Sequence, residues 1–220
     1  VMAGYMALEN LTVLDLTHPI APDMPVYPGD PQPRLTPLAF LPEDGFRQLG
    51  MTLTTHTGTH VDAPAHLLER GETLDRFSPG AFVGPAVALD ALRDESDLLR
   101  ALDAPAARDA AFVLFRTGHG ALWGRPEYQR SWPAVPESAL RLLAGRRVKG
   151  VGVDCLSVDP PGCGAMSLHR LLLSAGVLIY ENLRLPGEIP GGGFVFVGAP
   201  LSLPASDGAP VRALALCDLQ

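Results

Sequence analysis

Three of the chain's six histidines and an aspartate crowd into eleven residues, in the run His56-Thr57-Gly58-Thr59-His60-Val61-Asp62-Ala63-Pro64-Ala65-His66. Imidazole nitrogens beside a carboxylate form a borderline ligand set, suited to zinc, manganese or iron rather than calcium or magnesium. Local conformation decides whether these groups can meet. A helix would align His56 with His60, but Gly58, the threonine-rich flank, Val61 and Pro64 oppose it. In an extended chain side chains alternate with period two, so His56, His60, Asp62 and His66 fall on one side. His60 and Asp62 then stand roughly 7 Å apart at Cα, close enough to grip one ion. His56 needs a bend, which Gly58 permits because glycine reaches backbone angles that other residues avoid. A single histidine is ordinarily a surface or hydrogen-bonded core residue, and exposed His-rich tracts bind metal adventitiously. The clustering is what points to a built site.

His66 follows the stiffening Pro64 and can stand near an ion without binding it. Imidazole titrates close to neutral pH, which suits a proton shuttle for a metal-activated water. A role as one more ligand stays equally open on spacing. Two further candidates lie over a hundred residues away. Residues 166–175 read as a helix carrying His169 and stopped by Gly176, and residues 177–180 as a strand delivering Glu181. Reversal at Gly176 folds the strand back beside the helix, so His169 and Glu181 can approach each other. Both are costly to bury unpaired. Tyr27 sits in a loop, residues 21–33, stiffened by Pro22, Pro25, Pro28 and Pro31, which can hold an aromatic ring over a pocket at low entropic cost, although the residues by themselves favour a plain turn with Tyr27 packed inward.

The elements that must position these groups follow from pattern. Strands are expected at 11–20, 49–55 (running into the histidine cluster), 86–92, 111–116, 148–153, 177–180, 194–198 and 210–216. Helices are expected at 94–102, capped by Asp94, at 136–143, with Pro136 near its first turn and Gly145 at its end, and at 166–175. His119, between two glycines, reads as a surface residue. Asp154, Ser157 and Asp159 read as caps or turn residues before Pro160-Pro161-Gly162. Strands interspersed with a few helices indicate an α/β class with a mixed sheet, and no linker or repeat divides residues 1–220, so one domain is expected.

Composition sets the limits. A hydrophobic fraction of 47% and 220 residues suffice for one substantial core. A net charge of -7 argues against nucleic acid or an anionic membrane as partner. Glu9 and Asn10 interrupt any secretory signal, and no apolar run spans a membrane. The odd number of cysteines, Cys155, Cys163 and Cys217, with no CxxC pair, fits a reducing, cytoplasmic setting. Cys155 lies in an apolar run and reads as a buried, inert thiol.

The run from His56 to His66 resembles the signature of the cyclase family of metal-dependent hydrolases, which includes bacterial kynurenine formamidase and isatin hydrolase. Asp15-Leu-Thr-His-Pro, Tyr27-Pro-Gly-Asp, Arg116-Thr-Gly, Gly152-Val-Asp-Cys-Leu-Ser-Val-Asp-Pro, His169-Arg-Leu-Leu-Leu, Ile179-Tyr-Glu-Asn-Leu and Asp207-Gly-Ala-Pro-Val-Arg match it in order. The resemblance implies a swivelling β/β/α-type fold, a homo-oligomer (dimer or tetramer), a small-molecule substrate and one or two divalent ions, zinc first and manganese second. It implies His56, His60 and Asp62 as ligands of one ion, His169 and Glu181 of another, with Asp62 and Glu181 able to bridge. His66 matches the proton donor and acceptor. The implied reaction is hydrolysis of a C–N amide bond, in a formamide such as N-formylkynurenine or a cyclic amide of the isatin type. The same chemistry also serves esters, lactones or a reverse cyclisation, and a non-catalytic metal module is the rival from outside the enzymes. Formamidases of the family carry tryptophan where this chain has Tyr27, and often a histidine pair where it has Leu168-His169.

Overall fold

The computed structural model describes residues 11–91, 94–189 and 193–217. Its strands are β1 (Thr12–Asp15), β2 (Arg34–Ala39), β3 (Gln48–Thr52), β4 (His60–Asp62), β5 (Val83–Asp90), β6 (Phe112–Arg116), β7 (Gly150–Val153), β8 (Leu178–Glu181), β9 (Phe194–Val197), β10 (Gly208–Pro210) and β11 (Leu214–Cys217). Its helices are α1 (Leu41–Asp44), α2 (Glu95–Asp103), α3 (Pro105–Arg108), α4 (Glu127–Arg130), α5 (Glu137–Arg146) and α6 (Ser167–Ser174).

The expected mixed α/β class is what forms. One large curled sheet has the order β1-β11-β9-β5-β6-β7-β8-β4-β10, and β2 pairs with β3 in a separate hairpin. The centre of the sheet, β5 to β8, is parallel, with α2 and α3, then α5, then α6 as the crossings. Parallel neighbours need such crossings, because a tight turn can only reverse the chain. Antiparallel strands flank this centre, β9, β11 and β1 on one side and β4 and β10 on the other.

Period-two alternation sorts each strand's side chains into two cores. In β6, Val113 and Phe115 face the helices while Phe112 and Leu114 face away. In β8, Ile179 takes the helix side and Leu178 and Tyr180 the other. By the same parity Glu181 faces the helices. Antiparallel pairing sets His60 opposite Glu181 and Asp62 opposite Ile179, so both polar side chains of β4 share that face while Val61 enters the opposite core. On α6, Leu168, His169, Leu172 and Leu173 form the buried stripe, the three-and-four spacing of a helix packed on a sheet.

Several expectations shift at their edges. The strand at 49–55 is β3, but among the described residues it pairs only with β2, a strand the pattern did not reveal, and residues 53–59 turn rather than extend. The helix at 136–143 continues through Gly145 to Arg146 and ends at Arg147, whose φ of 53° is left-handed. The expected strand 210–216 divides into β10 and β11. Asp94 caps α2 as expected, accepting from the Ser96 N–H at 2.9 Å. Position 92 and the N-terminal stretch examined for a secretory signal lie outside the described residues. No described helix is long and apolar enough to cross a membrane.

The single-turn 3-10 helix Pro64–His66 is buttressed by Gly71, where a Cβ would stand 2.3 Å from the Pro64 carbonyl carbon. Backbone cannot yield as a flexible side chain can. Gly71→Ala is therefore expected to cost about 1–3 kcal/mol in a urea unfolding experiment; a variant as stable as the parent would contradict this packing.

Candidate metal centre

The structure brings together His56, His60, Asp62, His169 and Glu181, with His66 beside them. Among the described residues three donor groups emerge, each with its donor atoms within 4.8 Å of one another: a half-buried one, His56 with His66 and Asp207, and two more deeply buried ones, His56 with His60 and Asp62, and Asp62 with His169 and Glu181. Asp62 belongs to both of the latter. The even-position argument holds for His60 and Asp62 on β4. It fails for the flanking histidines, because Gly58 turns the chain with a φ of 67° and Pro64 starts the 3-10 turn that carries His66. Bending, not a long strand, converges these side chains.

The spacing fits a small divalent ion. Bonds of about 2.0–2.2 Å put neighbouring donors of a tetrahedral site roughly 3.3 Å apart. His169 Nε2 lies 3.2 Å from Glu181 Oε1 and 3.5 Å from Asp62 Oδ2, and His60 Nε2 lies 3.3 Å from Asp62 Oδ1 and 3.7 Å from Glu181 Oε2. Asp62 Oδ2 is also buried with no hydrogen-bond partner. A carboxylate 1% exposed needs compensation, and a cation among these donors provides it.

Outer partners aim the rings. His60 Nδ1 donates to the Gly58 carbonyl at 2.7 Å, which leaves its Nε2 lone pair for the cluster. His169 Nδ1 pairs with Asp159 Oδ2 at 2.6 Å, and the same carboxylate caps α6 by accepting from the Leu168 and His169 N–H groups. Asp159 is thus the cap the sequence suggested, and in addition it sets a tautomer. Glu181 Oε1 accepts from the Val158 N–H at 2.9 Å. Asn182 ties the Gly58 turn to the end of β8, donating to the Gly58 carbonyl while its own carbonyl accepts from the Thr59 hydroxyl.

The cluster opens into a cavity of about 250 Å³, walled by Pro25, Val26, Tyr27, Leu156 and Met166 as well as the histidines. Tyr27 is 41% exposed and lies 6.0 Å from the Trp132 ring, so it borders the cavity rather than packing inward. Burial and the nearby His56 and His169 charges lower the His66 pKa despite the opposing Asp62 and Asp207 charges. Asp207, which spacing did not single out although it opens one of the matched motifs, places a carboxylate oxygen 2.9 Å from His56 Nε2. His119, expected at the surface, is buried instead, with Nε2 3.0 Å from the Tyr128 carbonyl and its ring stacked on Tyr128. It does not line the cavity. Cys155 is fully buried, and desolvation with the nearby Asp154 and Glu181 charges pushes its thiol well above the usual range, so it is inert.

Residues 14–160 match the sequence model of the Cyclase family, described as "Putative cyclase". The chain belongs to the cyclase family. A kynurenine formamidase of Salinibacter ruber is 33% identical over 93% of this chain and 97% of its own length. Among solved structures, a predicted metal-dependent hydrolase from Bacillus stearothermophilus is 34% identical with a TM-score of 0.76, covering 94% of this chain and 98% of that one. Isatin hydrolase A from Labrenzia aggregata, bound to benzyl benzoate, is 26% identical with a TM-score of 0.82 over 97% and 96% of the two chains. The fold of this cyclase-family chain therefore agrees with the resemblance read from its residues.

In the metal-free protein the carboxylates hold protons on the rings. Burial pulls the His169 pKa down, but Glu181, Asp159 and Asp62 outweigh it and hold it up at about 12. Burial likewise opposes Asp62 and Asp207 at His56, whose pKa rises to about 9. Both raised values mean protonated rings near neutral pH, and a cation must displace those protons. Zinc added to the apoprotein near pH 7 should release about one to two protons per chain, read by calorimetry in buffers of different ionisation enthalpy. Release that loses about one proton as pH rises through 9, where His56 gives up its own, and keeps the His169 proton at pH 10 would fit this account, and release independent of pH between 7 and 10 would contradict it.

Proposed function

We propose that this cyclase-family chain is a metal-dependent amide hydrolase acting on a small aromatic formamide or cyclic amide. One observation carries this reading: a buried cluster of imidazoles and carboxylates at ion-binding spacing opens into a cavity whose wall bears an additional imidazole, His66. Supporting it are the names of the relatives, a kynurenine formamidase and an isatin hydrolase, which act on these two substrate classes. His56, His60, Asp62, His169 and Glu181 would hold one or two divalent ions, zinc or manganese, with Asp62 shared between them. Such an ion supplies Lewis acidity, polarising a carbonyl oxygen and lowering the pKa of water.

The chain's own residues do the rest. His66 takes a proton from the attacking water and returns it to the departing nitrogen, a poor leaving group until protonated. Val26, Leu156 and Met166 offer an apolar wall to an aromatic ring, and Tyr27 lies across its rim. The substrate's carbonyl would then lie beside the ligand cluster and its ring in the apolar half of the cavity. Three free cysteines agree with a reducing, cytoplasmic setting, and the described residues with action as one domain.

We further propose that copies of the chain associate through the β2–β3 hairpin. Leu38, Phe40, Leu41, Phe46, Leu49 and Met51 are each more than half exposed. A lone two-stranded hairpin is marginal in water. Leu49 and Met51 lie on one face of the hairpin and Leu38 stands over Gly50 on the other, so a partner would have to clasp the hairpin to cover them all. A second copy offering the same patch would cover it by symmetry.

Two experiments test these readings. Turnover of N-formylkynurenine, isatin and a lactone panel, with metal content measured in parallel, should show amide cleavage that chelation abolishes. His66→Ala should lower kcat about 10²–10⁴-fold with metal content intact, and full activity would remove its role. For the hairpin, light scattering should show an oligomer that Phe46→Ser with Met51→Ser dissociates; a monomeric parent at micromolar concentration would refute the association.

A further inference from the structure

We infer that Asp207 is the positioning residue of this site, a single carboxylate oxygen that sets the tautomers of both His56 and His66 and so couples the ligand cluster to the proton carrier. The inference rests on the proposed role of His66. It deepens that role by naming what aims the ring.

Asp207 Oδ2 lies 2.9 Å from His56 Nε2 and 3.3 Å from His66 Nδ1. An ionised carboxylate only accepts, so both nitrogens must carry hydrogen to bond to it. Each ring is thereby left with its other nitrogen free. For His56 that nitrogen is Nδ1, 2.8 Å from Asp62 Oδ1. A lone pair facing a carboxylate oxygen at that distance would be repulsive, so a proton joins the two in the metal-free protein and a cation would take its place. For His66 the free nitrogen is Nε2, the one able to take a proton from water.

Backbone pairing sets the height of this carboxylate. Asp207 immediately precedes β10, whose Gly208 is the register partner of Asp62, and the Asp207 carbonyl accepts from the Ala63 N–H at 2.8 Å. Gly208 itself makes room, since a Cβ there would stand 2.7 Å from His56 Cε1. The two imidazoles consequently lie against each other, with ring centroids 4.1 Å apart, and share the one acceptor. Asp159 differs in kind, because among the rings it holds only His169. Asp207 stands 40% exposed while Asp62 is 1% exposed, so the acceptor that orients the rings is wet and the one among the ligands is dry.

The test compares zinc-loaded parent, Asp207→Asn, Asp207→Glu and His66→Ala proteins. In the parent, long-range proton–nitrogen NMR of the imidazoles should show His66 protonated on Nδ1. Asp207→Asn should lose that single tautomer and lower kcat about 10–100-fold at saturating zinc, with KM changed far less, and Asp207→Glu should recover part of kcat. Zinc affinity of Asp207→Asn, measured by competition with a chelator, should also fall. A parent His66 protonated on Nε2, or an Asp207→Asn protein whose kcat returns fully at saturating zinc, would overturn the inference; the parent spectrum decides even if a variant fails to fold. A fully active His66→Ala protein would instead overturn the role of His66, while an inactive one beside a fully active Asp207→Asn protein would overturn only the inference about Asp207.

Discussion

Asp62 is buried among the imidazoles of His56, His60 and His169, and its neighbours include a second buried carboxylate, Glu181. Two negative groups removed from water at the edge of an apolar core would destabilise the fold severely if left alone. Compensation therefore has to be built into the same small volume. In the metal-free protein the neighbouring imidazoles supply it, holding the Asp62 carboxyl well below its ordinary range against the opposing effect of burial. A divalent ion would supply it more compactly.

The architecture makes that concentration of polar groups possible without opening the core. β4 is an antiparallel strand laid against the last strand of a parallel run, so the register that sets His60 opposite Glu181 joins two segments far apart in the chain. Alternation then sends Val61 and Tyr180 into one core while the polar side chains take the other face. α6 covers that face and brings His169 down on the same buried stripe as Leu172 and Leu173. One packed interface delivers ligands and hydrophobic contacts together. Disturbing the packing would move the ligands.

Roles divide by the kind of element that carries them. His60, Asp62, Glu181 and His169 stand on strands and a helix, where backbone hydrogen bonds and packing hold them. His66 stands on a single 3-10 turn and Tyr27 in a proline-stiffened loop, both at the cavity wall. A group that holds an ion benefits from rigidity, and one that meets changing substrates benefits from a loop that can vary while the scaffold stays the same.

The residue types and their short spacing already specified the borderline ligand set, the need for a bend at Gly58 and the mixed α/β class, and they allowed, without fixing, the approach of His169 to Glu181 across Gly176. Those inferences are local: they depend on side-chain chemistry, on backbone freedom and on periodicities of two and 3.6, all of which can be read along the chain. Other features depend on partners that no local pattern names. Asp207 acquires its place only because β10 pairs with β4, and β3 reads as a strand whether it joins the sheet or leaves it in a hairpin. His119 looks like a surface residue between glycines until Tyr128 closes over it. Register, burial and the choice of strand neighbour are decided by the packing of the whole chain, and for that physical reason only the tertiary structure could supply them.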